Sequence, residues 1–128
     1  MSKKEIQLFL LSIVSLTLGC MVYVLFRPYS NISIWVNQII PTKSYADNLR
    51  FLDSSFIKYY FVDFLWAFSF SCIIRIVLKE KKKPVIFAVV SFCGLIWELL
   101  QCIGTVIGTG DFIDVIMYIM ATFVVINI

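Results

Sequence analysis

Between Trp97 and Tyr118, three carboxylates and a carboxamide interrupt an otherwise apolar stretch: Glu98 and Gln101, then Asp111 and Asp114. Each pair is spaced i, i+3, so on a helix its members share a face. The residues around them are mostly Leu, Ile, Val, Phe and Met, which give an acid no hydration. Ionisable groups at membrane depth are costly and point to a functional site whose partners must be found. The competing reading is a polar clasp that locks two helices together without chemistry. Asp63, about a turn or more into another apolar segment, is a further candidate acid. Asp111 also has a simple structural role, because an aspartate at a helix start accepts unpaired backbone N–H groups.

Several chemistries suit such a set. The acids and Gln101 would engage a cationic or polar group of a ligand. Alternatively, Glu98 would serve as general acid and Asp114 as base, since neighbouring acids in an apolar site can differ in protonation. Glu98, Asp111 and Asp114 would also suit a hard cation such as Mg²⁺ through oxygen ligands. Membrane carboxylates can relay protons as well.

The elements that must position these residues are membrane spans. Charged residues make up 15% of the 128-residue chain and mean hydropathy is +0.95, whereas soluble domains carry about 25% charged residues. With ~20 residues per span, the pattern predicts an all-α, polytopic four-transmembrane-helix bundle forming one domain, 1–128. Its spans fall at 6–26, 57–78, 85–103 and 111–128, with an outer loop at 27–56. The first apolar run exceeds a signal peptide's ~7–15-residue core and shows no cleavage site, so it reads as a retained span. Within the loop, 32–40 is apolar but too short to cross, which predicts an interfacial or re-entrant piece with Trp35 at headgroup level.

The four cysteines lie singly in apolar segments and there is no histidine, so the cysteines read as packing residues. No cofactor and no resident metal are expected; nucleotide-loop and nucleophile-elbow motifs are missing. The Lys81–Lys83 run beside an apolar segment is a topology signal and not a nucleic-acid patch. Gly94 reads as a point of close helix approach.

Lys3, Lys4, Lys79, Lys81, Lys82 and Lys83 fall on one side of alternating spans, with Arg27, Lys43, Arg50 and Lys58 spread along the other. Lysine-rich short loops stay in the cytoplasm, so both termini are predicted to be cytoplasmic. Arg75 then reads as a boundary anchor, its stem in lipid and its head at the interface. On this topology Asp63, Glu98, Gln101, Asp111 and Asp114 converge at the outer leaflet from three helices. So many carboxylates must share protons, or pair with Arg27, Arg50 or a ligand.

Glu98-x-x-Gln101 on the third span, followed by Asp111-x-x-Asp114 opening the fourth, resembles the VanZ-like family of small bacterial membrane proteins. Arg27-Pro28 and Val62-Asp63-Phe64-Leu65-Trp66 are similar to family features too. The chain departs from that pattern at Gly108-Thr109, where many members carry an arginine. It departs again at Tyr118 and Ala121, where many have Asn and Gly. The resemblance implies a family whose founding member confers resistance to teicoplanin, a lipoglycopeptide acting outside the cell membrane.

These readings set the functional expectation. The first is a multi-pass protein of the bacterial cell membrane with a binding or protective role at its outer face. Its partners would be membrane lipids and a glycopeptide antibiotic, a lipid headgroup or a lipid-linked cell-wall precursor, with no nucleic acid. Alternatives are an enzyme acting on a lipid-linked substrate, and a small proton- or ion-coupled transporter, which at four spans requires a homo-oligomer.

Overall fold

A computed structural model describes residues 1–27, 31–49, 54–79, 83–106 and 110–128. Pro28, Arg50, Lys81, Lys82, Gly108 and Thr109, on which some sequence readings rest, lie outside the described residues. The described residues form helices and no strand: α1 Lys3–Phe26, α2 Asn31–Ile39, α3 Thr42–Asn48, a π-helical segment Phe56–Phe61 running into α4 Val62–Val77, α5 Lys83–Cys102 and α6 Phe112–Asn127. Three stretches are long and apolar enough to cross a membrane: Lys3–Phe26, Phe56–Val77 and Lys83–Cys102. α6 is apolar but has 16 residues, ~24 Å of helix against a hydrocarbon core of ~30 Å. The stretch expected as an outer loop is partly helical, through α2 and α3.

α1 begins at a reciprocal cap. Ser2 Oγ accepts from the Glu5 N–H at 3.2 Å, and the Ser2 N–H donates to Glu5 Oε2 at 2.6 Å, satisfying N–H groups that a helix start leaves unpaired. Its buried residues are Leu8, Ser12, Ser15, Gly19 and Phe26, spaced three, four or seven apart, so they form one stripe. The other faces expose Phe9, Leu10, Ile13, Val14, Leu16 and Leu18. Large apolar groups outside and, at Ser12, Ser15 and Gly19, small ones inside fit a helix in lipid, where close backbone approach, not exclusion from water, holds helices together.

The stripe packs on α4. Ser12 Oγ meets Ser69 Oγ at 2.8 Å, and Ser15 Oγ donates to the Leu65 carbonyl at 2.7 Å. At Gly19 the indole of Trp66 occupies the place of a side chain, 2.6 Å from where a Cβ would stand. Leu8, Cys72 and Val125 form a small core between α1, α4 and α6. α4 also packs along α6, and α6 along α5, while α4 touches α5 only lightly. α1 and α5 thus flank α4 and α6 and share no substantial interface among the described residues.

Arg75 corrects one expectation. It is 4% exposed, and its guanidinium donates to the Val125 carbonyl in the last turn of α6. A cation there complements the negative end of the helix and occupies a carbonyl, which lipid exposure would not. All four cysteines are free thiols.

Candidate functional site

The acids gather where α4 and α6 begin and α5 ends. Glu98 is 5% exposed, with both oxygens engaged. Oε1 accepts from the Tyr118 hydroxyl at 2.9 Å, and Oε2 accepts from the Asp111 N–H at 3.0 Å. With the Gln101 amide turned so that both its ends are satisfied, its nitrogen donates to Glu98 Oε2 at 3.3 Å and its oxygen accepts from Trp97 Nε1 at 3.1 Å. Glu98 therefore ties the end of α5 to the start and second turn of α6. Sequence left this residue between a ligand site and a clasp; its contacts are those of a clasp.

Two glycines let the helices come close enough. The Tyr118 ring lies 2.4 Å from where a Cβ on Gly94 would stand, so the ring seats on bare α5 backbone beside Glu98. A Cβ on Gly110 would stand 2.9 Å from the Glu98 carbonyl oxygen and 2.3 Å from Cys102 Sγ. Only a glycine there lets the backbone at Gly110 lie against the end of α5 and present the next N–H, that of Asp111, to Glu98.

Asp111 caps α6: Oδ1 accepts from the Ile113 N–H at 3.1 Å, and Oδ2 accepts from the Tyr60 hydroxyl at 3.1 Å. Asp114, one turn on, is 8% exposed, and its Oδ1 is buried with no hydrogen-bond partner. Its carboxyl lies within side-chain hydrogen-bond reach of that of Asp63 on α4, a contact two carboxyls make when they share a proton. A buried oxygen without a partner forfeits its solvation, ~1–3 kcal/mol and more for a charged group, so the Asp63–Asp114 pair, and not Glu98 or Asp111, keeps unused acceptor capacity.

Arg27 closes the cluster from the end of α1. Its guanidinium lies 4.9 Å from the Tyr23 ring centroid and 4.7 Å from that of Tyr59, and Nε donates to the Lys58 carbonyl at 3.2 Å. These contacts tie α1 to the π-helical turn, whose wider winding places Tyr59 against Arg27 while Tyr60 reaches Asp111. Arg27 also lies near enough to attract the carboxyls of Asp63 and Asp114.

All six residues that sequence singled out, Arg27, Asp63, Glu98, Gln101, Asp111 and Asp114, line one cavity of about 750 Å³. Among the described residues no group of three or more His, Cys, Asp or Glu is arranged to hold a metal ion. Sequence reasoning missed the tyrosines. Tyr59 and Tyr60, beside the start of a span, have the residue type and place of an interfacial aromatic belt, and Tyr118 entered only as the end of the acidic stretch and as a departure from a family pattern. The available signal was their placement: Tyr60 lies three residues before Asp63, and Tyr118 four after Asp114.

Compared with protein families, curated proteins and solved structures, the chain finds no match.

Proposed function

We propose that the protein binds the cationic group of a membrane amphiphile at the outer face of a bacterial cell membrane, in the cavity headed by Asp63 and Asp114. The observation that carries this reading is the buried, unpartnered Oδ1 of Asp114, facing a second carboxyl in a cavity of about 750 Å³. Glu98 and Asp111 are held by donors within the protein. Asp63 and Asp114 therefore present, beside Arg27, the acceptor capacity that remains, and a bound ammonium would offset the charge of the pair and donate to the unpartnered Oδ1.

This reading takes α6 as a fourth span, both termini as cytoplasmic and α2 as lying at the outer interface. The lysines of the end holding Ser2, Lys4 and Lys79 support that orientation through the bias of lysine toward the cytoplasm. In a VanZ-like setting the bound amphiphile would be a lipoglycopeptide such as teicoplanin, or a lipid whose occupancy alters the antibiotic's target, and the role would be protection. The enzymatic alternative asks Glu98 to act as general acid, which would require it to leave the contacts that join α5 to α6.

Antibiotic susceptibility of a sensitive Gram-positive host tests the proposal, with wild type and Asp114→Asn expressed at matched membrane levels. Protection by wild type and not by Asp114→Asn is the expected result. Equal protection by both would remove Asp114 from the function, and protection by neither would remove the resistance role.

A further inference from the structure

The cavity extends beyond its charged end. On α4 its lining falls on Val62 and on Asp63, Trp66, Ala67 and Phe70, the last four forming the i, i+3, i+4, i+7 stripe of one helix face. The stripe begins with the acid and continues apolar for seven residues, ~10 Å of helix. On α5 the facing stripe is Val90, Cys93, Gly94, Trp97, Glu98 and Gln101, again polar at the same end and apolar for ~10 Å away from it. The cavity is thus amphipathic along its length, with polar groups at the helix ends and hydrocarbon toward the middle of the bundle.

Its side is open. α1 and α5 both contribute lining residues, yet they share no substantial interface among the described residues. Between them Trp66, Phe70 and Trp97 line the cavity and are still 43%, 41% and 47% exposed. A site for a water-soluble cation needs neither the apolar depth nor this lateral opening.

We infer that the apolar half of the cavity is a slot for the hydrocarbon chain of an ammonium-headed amphiphile, which reaches it sideways from the bilayer between α1 and α5. The inference rests on the cationic-head reading above and adds the ligand's class: an alkyl or acyl chain carrying an amine at its polar end. Because the chain leaves lipid and not water, the slot contributes alignment and packing more than hydrophobic affinity. The ammonium supplies most of the selectivity.

Trp66 and Trp97 are built-in reporters, and Trp35 on α2 is the third tryptophan of the chain. In a Trp35→Phe protein reconstituted in phosphatidylcholine bilayers, an alkylammonium brominated along its chain should quench tryptophan fluorescence. The quenching should saturate, exceed that of an equally brominated phosphatidylcholine, and be relieved by unbrominated alkylammonium. Adding Asp114→Asn should abolish the excess. Cys93→Phe, which fills the slot from an exposed lining position, should abolish the excess yet retain Asp114-dependent binding of butylammonium. Saturable, Asp114-dependent binding of the alkylammonium with no excess quenching would overturn the slot and leave the charged site standing. Loss of all Asp114-dependent binding would overturn both.

Discussion

Glu98 and Asp114 have the same chemistry in the same low-dielectric setting, and their contacts separate their roles. Glu98 meets a tyrosine hydroxyl, a backbone N–H and an amide, whereas one oxygen of Asp114 meets no donor. Tyr118→Phe should therefore cost stability, ~1–3 kcal/mol, by leaving Glu98 Oε1 buried without its partner. Thermal unfolding in detergent would show this as a lowered midpoint. Asp114→Asn should leave that midpoint nearly unchanged or raised, because the amide can still donate to Asp63 while one of two facing acids is neutralised. The spacing of these residues made them legible in the sequence, since acids in an apolar run have few reasons to be there. Which acid clasps and which stays open was not legible. That depends on Tyr118 and Tyr60, and a tyrosine near the end of a span satisfies a belt role equally well. Arg75 was misplaced for a similar reason: snorkelling and carbonyl capping use the same arginine, and only the neighbouring helix end decides between them.

Helix positions were legible to within a few residues, because apolar runs bounded by Pro, Gly and charge leave little freedom. The observed α1, α5 and α6 lie close to the expected spans. The π-helical turn Phe56–Phe61 was not legible, since nothing in its composition distinguishes five-residue from four-residue hydrogen bonding. Packing faces were legible where small residues recur: Ser12, Ser15 and Gly19 mark the α4-facing side of α1. Gly94 and Gly110 carry the heaviest load at this scale. Gly94→Ala drives a methyl into the Tyr118 ring and should cost ~1–3 kcal/mol as overpacking, read from the unfolding midpoint. Gly110→Ala should cost at least as much, because the Cβ meets the Glu98 carbonyl oxygen and backbone yields less readily than a side chain. Its effect should shrink when combined with Tyr118→Phe, since both changes loosen one junction; a double-mutant cycle measures that coupling.

At the scale of the molecule, the chain is polarised. One end of the bundle carries Arg27, Asp63, Glu98, Asp111 and Asp114, and the other Lys4, Arg75 and Lys79. On the function proposed above, the lysine end faces the cytoplasm. With native cysteines replaced by serine, a cysteine at Tyr45 on α3 should react in intact cells with an impermeant maleimide. A cysteine at Lys79 should react only after lysis. The reverse pattern would put the acid cavity on the cytoplasmic side and end any role against an agent acting outside the cell. Among the described residues α1 and α5 flank the cavity without a substantial interface between them, which is the opening the proposed slot requires.

The most direct test of that arrangement is calorimetric titration of the protein in phosphatidylcholine nanodiscs with dodecylammonium, comparing wild type with Asp114→Asn. Saturable binding by the wild type that weakens by about tenfold or more, ~1.4 kcal/mol, in Asp114→Asn is the expected result. Equal affinity for the two proteins would contradict the assignment of Asp63 and Asp114 as the seat of a cationic head.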